Sequence, residues 1–283
     1  MLSAVARLCA QPLLADSASA AAHHARLLGA LRRLRSGDGA PLAAAPAAGA
    51  PTPWEERERV LVEGGVAIIP VSGTLAGGLD AQEAWWFGCC RYEWLQAAAA
   101  QLSQRADVHT VVLALDSPGG YVAGCAETAA LLERWLGGKL TIAWTSSQAC
   151  SCAYWLATAC ARIVATPSAT VGSVGVLAVY HDYSAMYAEA GIKVEVYRSG
   201  TYKGAGTPGT ELTAEQREFI QAGVDALGAS FRAHVSARRP QVAEADMQGQ
   251  WFTGAQAVER GLADATALHL AEVLQAVGQA RAF

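Results

Sequence analysis

The chain has 283 residues, 52% of them hydrophobic, and a formal net charge of -4. That is ample apolar material for a sizeable core, which excludes a wholly disordered chain, and the near-balanced charge excludes a nucleic-acid footprint or a polybasic membrane patch. Seven cysteines, an odd number at irregular positions that includes the adjacent Cys89 and Cys90, fit neither a disulfide framework nor paired zinc knuckles, so a reducing cytoplasm is the expected setting.

Residues 1–38 read as a helical arm, with Leu27, Leu28, Leu31 and Leu34 on one face and Arg26, Arg32, Arg33 and Arg35 elsewhere. Arg7 is the one basic residue of the first twenty, and Gln11, Pro12 and Asp16 interrupt the apolar stretch, so no signal peptide is expected. Residues 39–53 are an Ala/Pro/Gly tract with almost no large apolar side chain, read as a linker to one folded domain over 54–283. Apolar, β-rich runs at 66–71, 111–115, 140–144 and 162–165 then alternate with helical stretches at 92–105, at 122–136 and after Ser151. Such alternation predicts an α/β architecture of parallel strands joined by helical crossovers. Residues 194–198 alternate like a further strand. Residues 213–237 read as a long helix opened by Thr213 as N-cap, with Glu215 and Gln216 in its first turn, and closed before Pro240. The stretch 140–161 carries no charge and is long enough to cross a bilayer, but Thr145-Ser146-Ser147-Gln148 breaks its middle. A buried parallel strand running into a buried helix gives the same run, so no membrane span is expected.

Four segments rich in small and polar residues fall where strands end, the edge at which α/β sheets build sites. In Asp116-Ser117-Pro118-Gly119-Gly120 the glycines can expose backbone amides to an anion, although an ordinary strand-to-helix turn has the same composition. In Cys150-Ser151-Cys152-Ala153 small neighbours open the hydroxyl of Ser151 to a carbonyl, and the following helix offers amides to an oxyanion; a plain N-cap reads the same way. Cys150 and Cys152 have no evident histidine partner and read as packing. Thr170-Val171-Gly172-Ser173-Val174-Gly175 and Ser199-Gly200-Thr201-Tyr202-Lys203 complete the set. A serine nucleophile needs a base. None of the six histidines, at 23, 24, 109, 181, 234 and 269, lies in a triad-like context. A lysine kept neutral by burial is the other base proteins use, and no carboxylate occurs from Arg198 through Thr210 to hold a proton on Lys203. A solvated surface lysine is the alternative.

The order Ser-Pro-Gly-Gly, a small-residue serine turn, Thr-x-Gly-Ser-x-Gly-Val and Ser-Gly-x-x-Lys resembles the signal-peptide peptidase A family of serine peptidases over residues 65–265. Trp251-Phe252-Thr253-Gly254-Ala255-Gln256-Ala257 and Gly261-Leu262-Ala263-Asp264 are similar to that family's ending. The resemblance implies a crotonase-like, Clp-protease-like α/β fold over 54–283. It implies Ser151 as nucleophile, Lys203 as general base and Ser173 as the hydroxyl orienting that lysine. The oxyanion hole would be the amides of Gly120 and Cys152, with Gly119 beside them. Cys-Ser-Cys-Ala departs from the family's common Ala-Ser-Gly-Gly, which bears on the width of the turn. "VAIIPVSGTL" over 66–75 and "RSGTYK" over 198–203 resemble the lambda-type phage head maturation branch. That branch implies polypeptide substrates, a ring-like homo-oligomer whose sites draw on neighbouring copies, and capsid, portal and scaffold partners. It implies no cofactor and no metal, in the host cytoplasm or the procapsid. An acyl-CoA crotonase, a non-catalytic capsid component and a housekeeping peptidase that degrades signal peptides are the alternatives.

Overall fold

The computed structural model describes residues 13–15 and 51–279. The uncharged run from Leu140 is strand β8 (Leu140–Cys150) followed at once by the short buried helix α5 (Cys152–Ala157). Among the described residues no helix is long and apolar enough to cross a membrane. β8 lies at the centre of a parallel sheet because both its faces are covered. On one side it pairs β6 (Thr110–Ser117), with Val111 opposite Thr141 and Ala114 opposite Trp144. Beyond β6 comes β3 (Val66–Ser72), parallel and in continuous register from Val66 opposite Thr110 to Ser72 opposite Asp116, and the antiparallel β2 (Leu61–Glu63) closes that edge.

On its other side β8 changes partner partway along. Residues 142–145 pair with β9 (Arg162–Ala165), and residues 148–150 pair with β10 (Thr170–Gly172), which β11 (Trp251–Thr253) joins antiparallel. β12 (Ala265–Thr266) runs parallel beside β9. The result is a mixed α/β fold dominated by parallel strands, as the alternating pattern predicts. A second, smaller sheet holds β4 (Thr74–Ala76) between β5 (Cys89–Arg91) and β7 (Gly119–Tyr121), all parallel, with β1 (Leu13–Ala15) antiparallel on the outer edge of β7.

The main core lies on the face where Ala67, Ile69, Val71, Val111, Leu113 and Leu115 point inward, alternating with half-buried positions along β3. Helices α3 (Tyr92–Ser103) and α4 (Cys125–Leu136) cover it with Leu95, Ala99 and Leu102 against Ala129, Leu132 and Leu136, the repeat expected of an apolar helical stripe. Helix α7 (Ala214–Arg238) opens on a full capping box, in which Thr213 accepts from Gln216 N and Gln216 reaches back to Thr213 N. Its Phe231 ring stacks on Trp155 of α5, centroids 4.5 Å apart. On the opposite sheet face, α9 (Leu270–Gly278) sets Val273 against Val112, Ile142, Trp144 and Val164. Three short helices lie elsewhere in the chain: α1 (Pro53–Arg57), α2 (Ala81–Phe87) and α6 (Ser184–Glu189), the first two opened by capping boxes at Thr52 and Asp80. One more, α8 (Gly254–Glu259), follows β11.

Two expectations differ from this picture. Residues 194–198 form no strand: they lie in an exposed, irregular stretch with no neighbouring strand to pair with. Most of the arm expected to be helical over 1–38, and most of the linker, lies outside the described residues; the described part, Leu13–Ala15, is extended and paired. The first described helix starts at Pro53, beside the expected domain boundary at 54.

Candidate active site

Ser151 sits between the last residue of β8 and the first of α5, with φ 56° and ψ -121°. Ser151 and Ser173, at φ 52°, are the only non-glycine residues with positive φ among the described residues. An L-residue in that region costs about 1–3 kcal/mol, so the surroundings have to impose it. They do so through the backbone: Ser151 N donates to Gly172 O at 2.8 Å, Ser151 O accepts from Trp155 N at 2.9 Å, and Ser173 N donates to Gln250 O at 2.9 Å. Because Gly172 pairs with Cys150 in the β8–β10 ladder, Ser151 and Ser173 are the next residues along two adjacent strand ends. The ladder therefore brings these two predicted site residues side by side.

The hydroxyl of Ser151 is buried, with the residue 1% exposed, and has no hydrogen-bond partner; Trp155 Nε1 is the other such atom among the described residues. Leaving a buried hydroxyl unpaired costs about 1–3 kcal/mol. Strain and an unpaired hydroxyl on one residue are two costs that packing alone does not explain.

β7 runs past this turn. Cys152 Sγ lies 3.8 Å from Gly120 O and 3.5 Å from Tyr121 O, and Tyr92 Oη donates to Tyr121 O at 2.7 Å. The two glycines of the Ser-Pro-Gly-Gly turn are needed for different reasons. Gly119 holds φ 104°, whereas a Cβ on Gly120 would lie 2.0 Å from Leu75 O of β4. Gly119, Gly120, Ser151, Cys152 and Ser173 thus share one locality.

Lys203 makes no hydrogen bond to the Ser151 hydroxyl in this single chain. It is exposed in a turn-rich stretch, its N donates to Gly200 O at 3.2 Å, and its side chain enters no described hydrogen bond or ion pair. The described histidines are occupied away from Ser151: His109 Nδ1 lies 2.9 Å from Thr110 Oγ1, His234 Nε2 lies 3.1 Å from Thr158 Oγ1, His269 caps α9, and His181 stacks on Tyr183. Burial pushes the Cys125 thiol well above its usual range, with the Cys152 thiol beside it adding to the effect, and lifts Cys90 and Cys160 to about 12, so these cysteines stay protonated at neutral pH. Among the described residues no three His, Cys, Asp or Glu side chains converge to hold a metal ion.

The two C-terminal motifs turn out to support this locality from beneath. Trp251 pairs with Gly172 and Phe252 with Val171, which fixes the strand that presents Ser173. Thr253 caps α8 with a full capping box, and Gly254 packs where a Cβ would lie 2.0 Å from Thr166 O. Asp264 takes a two-pronged hydrogen bond from Arg239, at 2.7 and 2.6 Å, and a third from Ile163 N at 2.6 Å. Burial alone would raise its carboxyl; the bonds from Arg239 and Ile163 and the charges of Arg239 and Arg162 outweigh that and hold it below the ordinary value. The Tyr154 hydroxyl of α5 donates to Leu262 O at 2.9 Å, so the Gly-Leu-x-Asp ending locks the helix that follows Ser151. Sequence reasoning passed over Tyr92 and Arg239, which carry no motif; the roles come from partners far away in the chain.

The mainly parallel α/β sheet thus sets a strained serine at a strand-to-helix junction beside a Gly-Gly strand. The chain belongs to Peptidase family S49, whose profile matches residues 137–281, a span that includes Ser151, Ser173, Lys203 and both C-terminal motifs. It is 31% identical over 205 residues to "Capsid assembly protease C" of Escherichia phage lambda, covering 72% of this chain and 46% of that protein. It is 32% identical over 205 residues to "Head-tail preconnector protein GP5" of Enterobacteria phage P21, covering 72% of this chain and 41% of that one. The chain therefore spans less than half the length of these two relatives. Among solved structures, an enoyl-CoA hydratase from Polaromonas sp. JS666 overlays at TM-score 0.46 with 14% identity, covering 78% of this chain and 76% of that one.

Proposed function

We propose that this chain is a serine endopeptidase with a Ser151/Lys203 dyad, acting in capsid assembly on procapsid or scaffold polypeptides in the host cytoplasm or the procapsid. The observation that carries the reading is the buried, unpaired hydroxyl of Ser151 on a backbone held at φ 56°. Such a hydroxyl has no competing bond to break before it meets a carbonyl. In the proposed reaction Ser151 Oγ bonds to the carbonyl carbon of the scissile peptide while its proton passes to neutral Lys203 Nζ, oriented by Ser173. The amides of Gly120 and Cys152, with Gly119 shaping the turn, take the charge on the oxygen. Collapse breaks the C–N bond, Lys203 returns the proton to the leaving amine, and water hydrolyses the acyl-enzyme by the reverse proton path.

Lys203 reaches Ser151 from a neighbouring copy of the chain in this reading. What supports it is that the Ser151 hydroxyl lacks a partner among the described residues while the stretch carrying Lys203 is exposed and unusually apolar: Tyr197 is 89% and Val179 66% exposed, with Met186, Ile192 and Tyr202 also outward. Surfaces of this kind mark contacts between proteins. The capsid assignment draws on the names of the two phage relatives.

The test is a peptidase assay with a fluorophosphonate probe. Ser151→Ala and Lys203→Ala each lose hydrolysis and labelling at position 151, and mixing the two inactive proteins restores a fraction of activity when one copy supplies the lysine to the other. Full activity in Lys203→Ala overturns the dyad; no recovery on mixing overturns the shared site.

A further inference from the structure

Strand β7 has two edges. One pairs with β4, Leu75 opposite Gly120; the other is taken by the chain's own N-terminal segment, with Leu13 opposite Tyr121, Leu14 opposite Gly120 and Ala15 opposite Gly119. Nothing in the function proposed above requires that strand. Without it, β7 would present a row of unpaired backbone donors and acceptors, the kind of edge to which an extended polypeptide adds itself as one more strand. The edge also lies at the right place for a peptide substrate, since Cys152, the residue after Ser151, packs its sulfur against the carbonyls of Gly120 and Tyr121.

We infer that residues 13–15 are an internal, strand-shaped occupant of the peptide-binding edge, so that a polypeptide substrate must displace the chain's own N-terminal segment before its backbone can lie alongside Ser151. Three points converge on this. The occupant is a backbone in extended conformation, as a substrate strand has to be. Its pairing is antiparallel and continuous over all three residues of β7. It is attached through residues 16–52, so docking is intramolecular, at an effective concentration on the order of mM for a tether tens of residues long. A free peptide with weak affinity cannot compete with that, whereas a substrate presented in an assembly at comparable local concentration can. The effect on turnover rests on the reading of Ser151 as nucleophile; the occupancy of the edge does not.

The experiment is arranged to separate those two. Successive residues of a strand aim their N–H groups at opposite sides, so the double substitution Leu13→Pro/Leu14→Pro in the full chain removes a donor from the β7 side whichever residue supplies it. In a Ser151→Ala background, hydrogen exchange is followed at the amides of 119–121, together with binding of a synthetic peptide of residues 11–17. Faster exchange in the proline variant, and peptide binding by that variant but not by the parent, are the expected results. Unchanged exchange with equal peptide binding to both proteins overturns the inference. With Ser151 intact, KM for an extended peptide falls about tenfold in the proline variant if the edge is free about one tenth of the time in the parent, while kcat is unchanged. Changed exchange without any hydrolysis would remove the peptidase reading and leave the self-occupied edge standing.

Discussion

Gly120 is where the fold and the proposed chemistry depend on the same missing atom. A methyl group at this position would lie 2.0 Å from the oxygen, 2.5 Å from the nitrogen and 2.6 Å from the carbonyl carbon of Leu75, all backbone atoms of β4 that no rotamer change can move. Ordinary contact begins at 3.4 Å, so β7 has to retreat from β4 by roughly 1 Å or more. Over-packing of this kind costs about 1–3 kcal/mol, and each kcal/mol lowers Tm by roughly 2–4 °C in a domain of this size. In the proposed reaction the same retreat carries the Gly120 amide away from the oxyanion it would hold. A misplacement of about 1 Å at a reacting centre costs about 100-fold, and loss of one oxyanion donor about 100- to 1,000-fold in kcat. Gly120→Ala is therefore expected to lower both quantities, read by calorimetry for Tm and by steady-state hydrolysis of a peptide for kcat. A variant with parental Tm and parental kcat refutes the steric argument. A variant that is destabilised but turns over normally removes the Gly120 amide from the reaction.

Ser151→Ala takes away a buried hydroxyl that bonds to nothing, so it is expected to be at least as stable as the parent in a urea titration, by up to about 1–3 kcal/mol; a clear loss of stability would mean that the hydroxyl has a partner after all. Asp264→Asn leaves Arg239 buried beside a neutral group and is expected to cost about 3–5 kcal/mol in thermal or urea unfolding. Because the Asp264 carboxyl is held below its ordinary 3.8, its contribution is complete above that pH and is lost as pH falls through the depressed value, and the acid limb of the stability curve flattens in Asp264→Asn. His234 is pushed down to about 4, by burial first and then by the Arg238 charge, with Glu133 opposing. The unfolded chain takes up that proton near 6.5 and the folded chain near 4, so stability falls as pH drops across this interval, and His234→Gln removes that slope from urea midpoints measured between pH 7.5 and 4.

Which parts of this arrangement were legible follows from where the signals reside. Buried parallel strands at 66–72, 110–117 and 140–150 are read from composition because both faces are covered and few polar residues are admitted. The long helix announced itself through Thr213 and Gln216, a purely local device. The strands of two and three residues, β1, β2, β4, β5, β7, β10, β11 and β12, are too short to show a period, and several sit in Gly-rich segments where only a distant partner makes them strands. The alternation at 194–198 misled for the converse reason: Val194, Val196 and their neighbours have the pattern of a strand without a strand beside them. The motifs placed Ser151, Ser173 and the two glycines in one locality, but no composition reveals a serine at positive φ. That strain is set by Gly172 and Gln250 through backbone bonds formed only after folding.

The support given by the Trp251–Asp264 stretch has a bearing on how the chain is made. The carbonyl that anchors Ser173 belongs to Gln250, the strand that steadies it starts at Trp251, and the carbonyl that secures Tyr154 belongs to Leu262. A nascent chain grown to residue 240 already contains Ser151, both glycines, Lys203 and the Gly172 and Trp155 partners of the Ser151 backbone, but neither the Gln250 carbonyl that holds Ser173 nor the Leu262 carbonyl that secures Tyr154. The Ser173 turn and the helix that follows Ser151 therefore gain their last anchors only once residues 250–262 have been made.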